Sequence, residues 1–381
     1  CWKERPILCA PTGSGKTTVA AHMIHSATVN GKRVLFLAHR KELIQQAHDR
    51  LWEHGVDSGV IMAGLQTAPM LSVQVASVQT LVRRQPPPAD LVIVDEAHHA
   101  RASTYEKILA WYPDAAWIGL TATPFRLDGK GLGGCGFNRI VTVASPSELI
   151  RRGHLLEPRY FVSPVNLSAV STVAGEFHQG QLAETMDTGE LVGNIVDQWN
   201  LHASGRRTVC FASSVQHSMN IAMRFGDSAA HIDGETPMFE RDRILAQLRE
   251  GAVKIVTNYG ILTEGWDLPS AAVWVLARPT KSLGLYLQMV GRIMRPASGK
   301  EQPLVLDHAG CIEMHGLPTD EIEYSLTDKI KKSANIEPIK YCKACFAVNK
   351  ASAKVCAFCG AEFIAEEREQ KQESNAQLAE Y

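Results

Sequence analysis

The run "LVIVDEAHHA" (residues 91–100) sets four potential ligands, Asp95, Glu96, His98 and His99, directly behind apolar residues. A carboxylate ending a buried strand can hold a divalent cation through water, and the next one can orient a water for attack. A dedicated transition-metal site is the competing reading. The stretch lacks the HExxH spacing that would put two histidines on one helical face, which counts against it.

A second stretch supplies a partner. "APTGSGKTT" (10–18) follows an apolar strand candidate and precedes a helical pattern. Gly13 and Gly15 let the backbone of Pro11, Thr12, Ser14 and their neighbours curl so that N–H groups face phosphate oxygens at a helix N-terminus. Lys16 then reaches the β- and γ-phosphates, Thr17 can ligate Mg²⁺, and Thr18 continues the helix start. Ala10 stands where the strict motif has glycine. A merely decorative Gly-rich turn is the alternative, disfavoured because strand, helix and GKT occur together. An acid ending "LVIVD" then sits beside this loop, at the carboxyl edge where α/β sheets bind ligands. Asp95 fits Mg²⁺ held through water, Glu96 the group that orients the attacking water, and His98 a coupler between nucleotide state and the rest of the chain. His99 reads as a polar neighbour.

The second half has no P-loop, yet "QMVGRIMR" places Gln288, Arg292 and Arg295 at i, i+4 and i+7, one face of a helix. Arginines presented to a γ-phosphate from another domain can stabilise transition-state charge, and such a face forms only when domains close. A solvated helix face is the plainer reading. Near the C-terminus, "CKACFAVNKASAKVCAFCG" gives two C-x2-C knuckles, Cys342, Cys345, Cys356 and Cys359, able to point four thiolates at one tetrahedral Zn²⁺. A redox dithiol explains one such knuckle, not two. So small a segment needs the metal for its folding energy. Seven lysines and one acid between Lys329 and Lys354, with Tyr341 and Phe346 interleaved, suit phosphate contact and base stacking. A protein-binding knob is the other reading.

These groups need elements to hold them. At 381 residues the chain exceeds the roughly 250–300 where single cores stop growing, so two compact domains plus something small are expected. Apolar runs at 6–10, 33–38, 73–77, 91–95 and 117–122, and again at 208–212, 229–233, 254–258, 272–277 and 303–307, alternate with helical segments. That is the pattern of two tandem α/β parallel sheets. Residues 125–190 read as a loop-rich connector holding one helix-like stretch, "SPSELIRRG". Lys and Arg total 39 against 40 acids, so any basic surface is local. Five of nine cysteines are scattered singly, which points to a reduced, intracellular chain and no disulfide scaffold. No apolar run reaches the roughly 18 residues of a membrane span and no signal pattern opens the chain, so a cytoplasmic protein is expected. The first residue is Cys, so the chain is expected to be a piece of a longer one.

Taken in order, the motifs resemble those of superfamily 2 DEAD/DEAH-box helicases. "APTGSGKT" and "DEAH" look like motifs I and II, and "LAHRKEL", "ASVQTL" and "TATP" like Ia, Ib and III. "CFASSVQH", "TNYGILTEGWDLP" and "QMVGRIMRP" look like IV, V and VI. "DGETP…ER" and "ARPTKSLGLYLQMVGR" are similar to the branch containing XPB and UvsW, the type III restriction/helicase-like branch. The resemblance implies two RecA-like domains clamping one ATP, with Gly265 and Asp267 of motif V toward the nucleotide. It also implies nucleic-acid contact through Arg40, Ser77, Gln79, Thr80, Ser213 and Thr257, small polar groups suited to sugar-phosphate. The expected division is a RecA-like domain at 1–150, connector 151–190, second RecA-like domain 191–328, zinc ribbon 338–364 and acidic tail 365–381. Relatives carry an adenine-recognising Gln motif some twenty residues before the P-loop; nine residues precede Ala10 here, so it is expected to lie outside this sequence. The function implied is an ATP- and Mg²⁺-dependent helicase or translocase, on DNA rather than RNA. A non-unwinding motor subunit of a restriction or remodelling complex is the alternative. A nucleic-acid-binding module with a dead ATPase is another, against which Lys16, Asp95, Glu96, Arg292 and Arg295 stand intact.

Overall fold

The computed structural model describes residues 4–99, 102–125, 131–263, 266, 268–326, 331–332 and 338–363. The first sheet is built from β1 (Pro6–Cys9), β2 (Val34–Ala38), β3 (Gly59–Met62), β4 (Leu65–Gln66), β5 (Val73–Ser77), β6 (Leu91–Val94), β7 (Ala116–Thr121) and β8 (Arg139–Thr142). Their order is β4-β3-β5-β2-β6-β7-β1-β8, and every pair is parallel except β3–β4. Side chains of β2 alternate between two cores, as a pleated strand requires. Phe36 joins Ala20 and Ile24 of α1 (Lys16–Val29) and Ile44 of α2 (Lys41–Glu53). Leu35 and Leu37 join Leu81 of α3 (Val78–Leu81) and Tyr105 and Ile108 of α4 (Ala102–Trp111). Burial on both faces is why these strands read as unbroken apolar runs.

After α5 (Pro146–Arg151), β9 (Arg159–Val162) already belongs to the second sheet, although the sequence places it in the connector. A hairpin, β10 (Thr172–Val173) and β11 (Glu176–Phe177), and α6 (Gln179–Met186) form a small cluster of their own. The second sheet is then completed by β12 (Thr208–Ala212), β13 (Ala229–Ile232), β14 (Ile255–Asn258), β15 (Val273–Ala277) and β16 (Leu304–Asp307). The order is β13-β14-β12-β15-β16-β9, all parallel. One face packs on α7 (Gly189–Ala203) and α8 (Val215–Phe225), the other on α9 (Met238–Glu250) and α10 (Leu283–Gly291). All ten runs anticipated as strands are strands. Within the two sheets the strands not anticipated, β3, β4, β8 and β9, are two to four residues long and lie at or near sheet edges.

Beyond α11 (Cys311–His315) the chain recrosses to the first sheet, where Tyr324 stacks on Phe125 and Leu326 O accepts from Gly133 N at 3.3 Å. There β17 (Ile322–Glu323) pairs with β18 (Lys331–Lys332). A last hairpin, β19 (Ile339–Tyr341) with β20 (Val348–Lys350), lies on the open edge of the second sheet. Phe161 bridges Ala347, Val162 N donates to Phe346 O at 3.0 Å, and Phe358 meets the Phe161 ring edge-on at 4.9 Å. Cys342, Cys345 and Cys356 share a buried cluster with Phe161, Ile195 and Val275. The cysteine hairpin therefore extends the second domain's core and is not a separate knob. Residues 365–381, expected as an acidic tail, lie outside the described residues. No helix among the described residues is long and apolar enough to cross a membrane.

Candidate nucleotide cleft and nucleic-acid face

Gly13 and Gly15 sit at φ +87° and +85°, the left-handed region that glycine enters without strain, and Gly15 caps α1. Ala10 is outside that region and its N–H donates to Thr121 O at 3.1 Å, so glycine is not needed there. Lys16 Nζ donates to Ala10 O and Pro11 O at 3.1 and 3.2 Å. Burial lowers its affinity for the proton, while Glu96 and Asp95 pull the other way. Asp95 directly follows β6, and its carboxylate accepts from Glu96 N at 3.0 Å. Burial and the neighbouring Glu96 push its pKa up to about 7 against the pull of Lys16. Glu96 itself is held at φ +46°, a strained position for a residue with a Cβ. That turn brings Glu96 Oε2 to 3.4 Å from His98 Nδ1.

His98 joins the two sheets. The Gln288 amide nitrogen donates to His98 Nε2 at 2.8 Å, which leaves the ring proton on Nδ1, 2.9 Å from Thr121 Oγ1. Thr121 in turn donates to Thr123 O at 3.0 Å. The helix expected to carry Gln288, Arg292 and Arg295 on one face stops at Gly291. Arg292 is its cap and Arg295 follows in a turn, so the turn, not helical spacing, aims both arginines. Arg292 is fixed by Nε to Thr263 O at 3.2 Å and Nη1 to Trp266 O at 2.6 Å. Arg295 lies so close to the P-loop that a Cβ on Gly13 would come within 2.8 Å of its Cγ. A Cβ on Gly291 would likewise come within 2.6 Å of Thr12 Cβ. Both glycines permit the approach of the sheets.

Between them runs a cleft of about 400 Å³ lined by Thr12, Gly13, Gly15, Lys16, Thr17, Thr18, Asp95 and Glu96 on one side and Arg292 and Arg295 on the other. Cations and carboxylates from separate sheets converge there, a setting for a polyphosphate and its divalent ion. Gln46, Asp49, Arg50 and Glu53 of α2 also line it. The sequence reading missed these, since a polar helix face normally meets water. Gln288 is occupied by His98 instead, Pro11 faces a second cavity, and Ser14 does not line the cleft. Gly265 and Asp267 lie outside the described residues.

The six proposed nucleic-acid residues divide. Arg40 and Gln79 line a hollow of about 520 Å³ together with His39, Arg83, His99 and Tyr105. Ser77 Oγ donates to Gln79 Oε1 at 2.8 Å, and Thr80 is half-buried beside it. Ser213 and Thr257, by contrast, are buried and turned inward. Ser213 Oγ is 2.8 Å from His217 Nδ1, and Thr257 Oγ1 donates to Ser218 O at 2.9 Å and accepts from Ser218 Oγ at 3.0 Å. Their hydroxyls satisfy polar groups under α8, which leaves neither positioned for a strand in this conformation.

The four Sγ atoms of Cys342, Cys345, Cys356 and Cys359 lie within 4.8 Å of one another, with pairs at 3.6 and 3.7 Å. Ligands about 2.3 Å from one tetrahedral ion stand about 3.8 Å apart, so this donor set fits Zn²⁺. Phe358 N and Asn349 Nδ2 donate to Cys356 Sγ at 3.4 and 3.5 Å. Burial raises this thiol's pKa, but the N–H groups of Cys359 and Phe358 and the Asn349 amide outweigh it and bring the value down to about 6, while burial and the neighbouring thiols push Cys345 up.

Residues 3–126 match the family described as "Type III restriction enzyme, res subunit", and residues 190–297 the "Helicase conserved C-terminal domain". The chain is 33% identical over 379 residues to the "51.5 kDa protein" of Lactococcus phage (isolate 7-9), covering 97% of itself and 80% of that relative. It is 33% identical over 351 residues to a Schizosaccharomyces pombe protein named as a mitochondrial ATP-dependent helicase, irc3, covering 84% of itself and 58% of that protein. Its fold matches the "ATP-dependent Type ISP restriction-modification enzyme LlaBIII bound to DNA" with a TM-score of 0.60 at 19% identity, over 81% of this chain and 26% of that one. A glycine loop opening a helix, a strand-end acid pair and an arginine pair contributed from the other sheet, met in this order on two parallel sheets, agree with these matches: the chain belongs to the ATP-hydrolysing superfamily 2 helicases of the type III restriction-like branch.

Proposed function

We propose that the chain is a nucleic-acid-stimulated ATPase that moves along or opens DNA, with hydrolysis gated by contact between its two sheets. The observation that carries this is the shared cleft, where Lys16, Asp95 and Glu96 from one sheet meet Arg292 and Arg295 from the other. In this reading Thr12–Thr18 hold the phosphates, Lys16 steadies the β- and γ-phosphates, and Glu96 orients the attacking water. Mg²⁺, held through Thr17 and Asp95, would neutralise phosphate charge. Arg292 and Arg295 stabilise the charge that develops on the γ-phosphoryl group, and Gly265 and Asp267 contribute from motif V. His98, bound to Gln288, reports to the second sheet whether the first is engaged.

The strand is read as lying across Arg40, Gln79, Thr80 and Arg83, groups that hold phosphate without reading bases. DNA is favoured over RNA because the matched restriction enzyme is DNA-bound and the XPB-like branch acts largely on DNA. Four cysteines holding Zn²⁺ would act here as a brace for the edge of the second sheet. This is supported by Lys340, whose ammonium is turned over the Phe363 ring at 4.0 Å instead of outward. A cytoplasmic setting belongs to this reading on the singly scattered cysteines of the sequence. A second reading, a motor that translocates without unwinding, is favoured by the match to a restriction subunit.

ATP turnover measured in parallel with single-stranded DNA, forked DNA and RNA tests the proposal. Stimulation by DNA above RNA is expected. Equal turnover with and without any nucleic acid removes the motor reading. Strand displacement compared with triplex displacement separates unwinding from translocation. Elemental analysis should find one zinc per chain; Cys356→Ala should lose it and lower the melting temperature of the second domain, because its thiol lies in that core.

A further inference from the structure

We propose that His39 and Tyr105 are positioning residues that carry strand binding to the ATP cleft, an inference resting on the reading of the chain as a nucleic-acid-stimulated ATPase. Neither belongs to the P-loop, the acid pair or the arginine pair. His39 directly follows β2 and precedes Arg40, the cap of α2. Its ring is half-buried at the wall of the hollow that holds Arg40 and Gln79. Tyr105 comes from α4 on a different part of the sheet, and its ring is 1% exposed within the core. Its hydroxyl stands 3.0 Å from His39 Nε2.

From that pair a continuous series of ring contacts leads to the seam between the sheets. The His39 and His99 rings meet edge to face with centroids 5.4 Å apart, and the His99 and His98 centroids are 4.2 Å apart. His98 is the residue bound to Gln288 across the seam, with Glu96 3.4 Å from its other nitrogen. A phosphate drawn to Arg40 therefore displaces a backbone whose next ring is held by the buried Tyr105 hydroxyl. The anchor converts movement of the strand-end loop into a change at His99 and His98. Without it, the His39 ring loses the hold from α4 and less of the displacement reaches the seam. The coupling needs no contact of Tyr105 with the strand or with ATP.

Tyr105→Phe removes the hydroxyl and leaves the buried ring, so the fold is retained. The experiment measures ATP turnover of parent and Tyr105→Phe without nucleic acid and at saturating DNA, with DNA affinity and melting temperature alongside. Stimulated kcat should fall about fivefold or more toward the basal rate, within the range that mutations between two sites impose on their coupling. Basal kcat, KM for ATP and DNA affinity should stay as in the parent. His39→Asn, with Tyr105 in place, should reproduce the loss. Unchanged stimulation in both variants overturns the proposal, as does a loss of DNA affinity matching the loss of stimulation, which would make these binding residues. A parent not stimulated by DNA or RNA overturns the motor reading itself, a result distinct from a stimulated parent whose variants behave alike.

Discussion

Asp95 directly follows β6 and Asp307 ends β16, so each sheet has an aspartate at the carboxyl edge of a buried parallel strand. Their surroundings give them different work. Asp307 is 0% exposed, and its two oxygens accept from Ala309 N at 2.9 Å and Ile312 N at 2.7 Å, with Cys311 and Gly310 N–H groups also turned toward it. It is consumed in shaping the turn into α11. Asp95 accepts a backbone bond from Glu96 and otherwise faces the cleft beside Lys16. Burial raises both carboxyls, but of the two only Asp95 lines the cleft. The same residue at the same strand end is thus structural or chemical according to how many backbone donors close over it.

Breaking the chemical end should have the largest effect. Glu96→Gln should bind ATP but lose about 10²–10⁴-fold in turnover, the scale of a positioned acid–base group. Parent-like turnover would show that the strained turn at Glu96 serves the fold alone. Breaking the structural end should do the reverse. Asp307→Ala leaves buried N–H groups unpaired and should cost about 1–3 kcal/mol in denaturant unfolding, with kcat per folded molecule retained. Lost turnover at full stability would erase the contrast between the two strand ends.

How much of this was legible in the sequence follows from the same contrast. The P-loop was readable because glycines at fixed offsets from a lysine have few other uses, and both proved left-handed. The two sheets were readable because strands buried on both faces must be apolar throughout. The inward turn of Ser213 and Thr257 was not legible because a strand-end hydroxyl looks the same in sequence whether it faces a strand or, as here, Ser218 and His217. The aim of Arg295 and the place of Gln46 and Arg50 in the cleft depend on where helices end and how the sheets meet, which no local pattern encodes.

The inward-turned network under α8 makes a smaller, pH-dependent prediction. Burial lowers the pKa of His217 to about 4 from its ordinary 6.5, with Asp187 opposing weakly. The unfolded chain therefore takes up this proton first, so the contribution is full above pH 6.5 and is lost as pH falls toward 4. Its steepest slope is about 1.4 kcal/mol per pH unit. Asp95, raised to about 7, contributes the opposite slope over the same window, so the difference between parent and His217→Gln is what reads the histidine. The variant should lose less stability than the parent between pH 6.5 and 4; parallel curves would place a charged histidine in the folded state.

The central claim, that hydrolysis occurs where the two sheets meet, is tested most directly by DNA-stimulated ATP turnover of Arg295→Ala. Arg295 packs against Gly13 of the P-loop but is contributed by the other sheet. Turnover should fall about 10³-fold or more, the scale of an arginine acting in trans, while the melting temperature and ATP binding stay close to the parent. Turnover within about tenfold of the parent, with a lowered melting temperature, would mean that Arg295 only packs the seam and that the first sheet hydrolyses ATP alone.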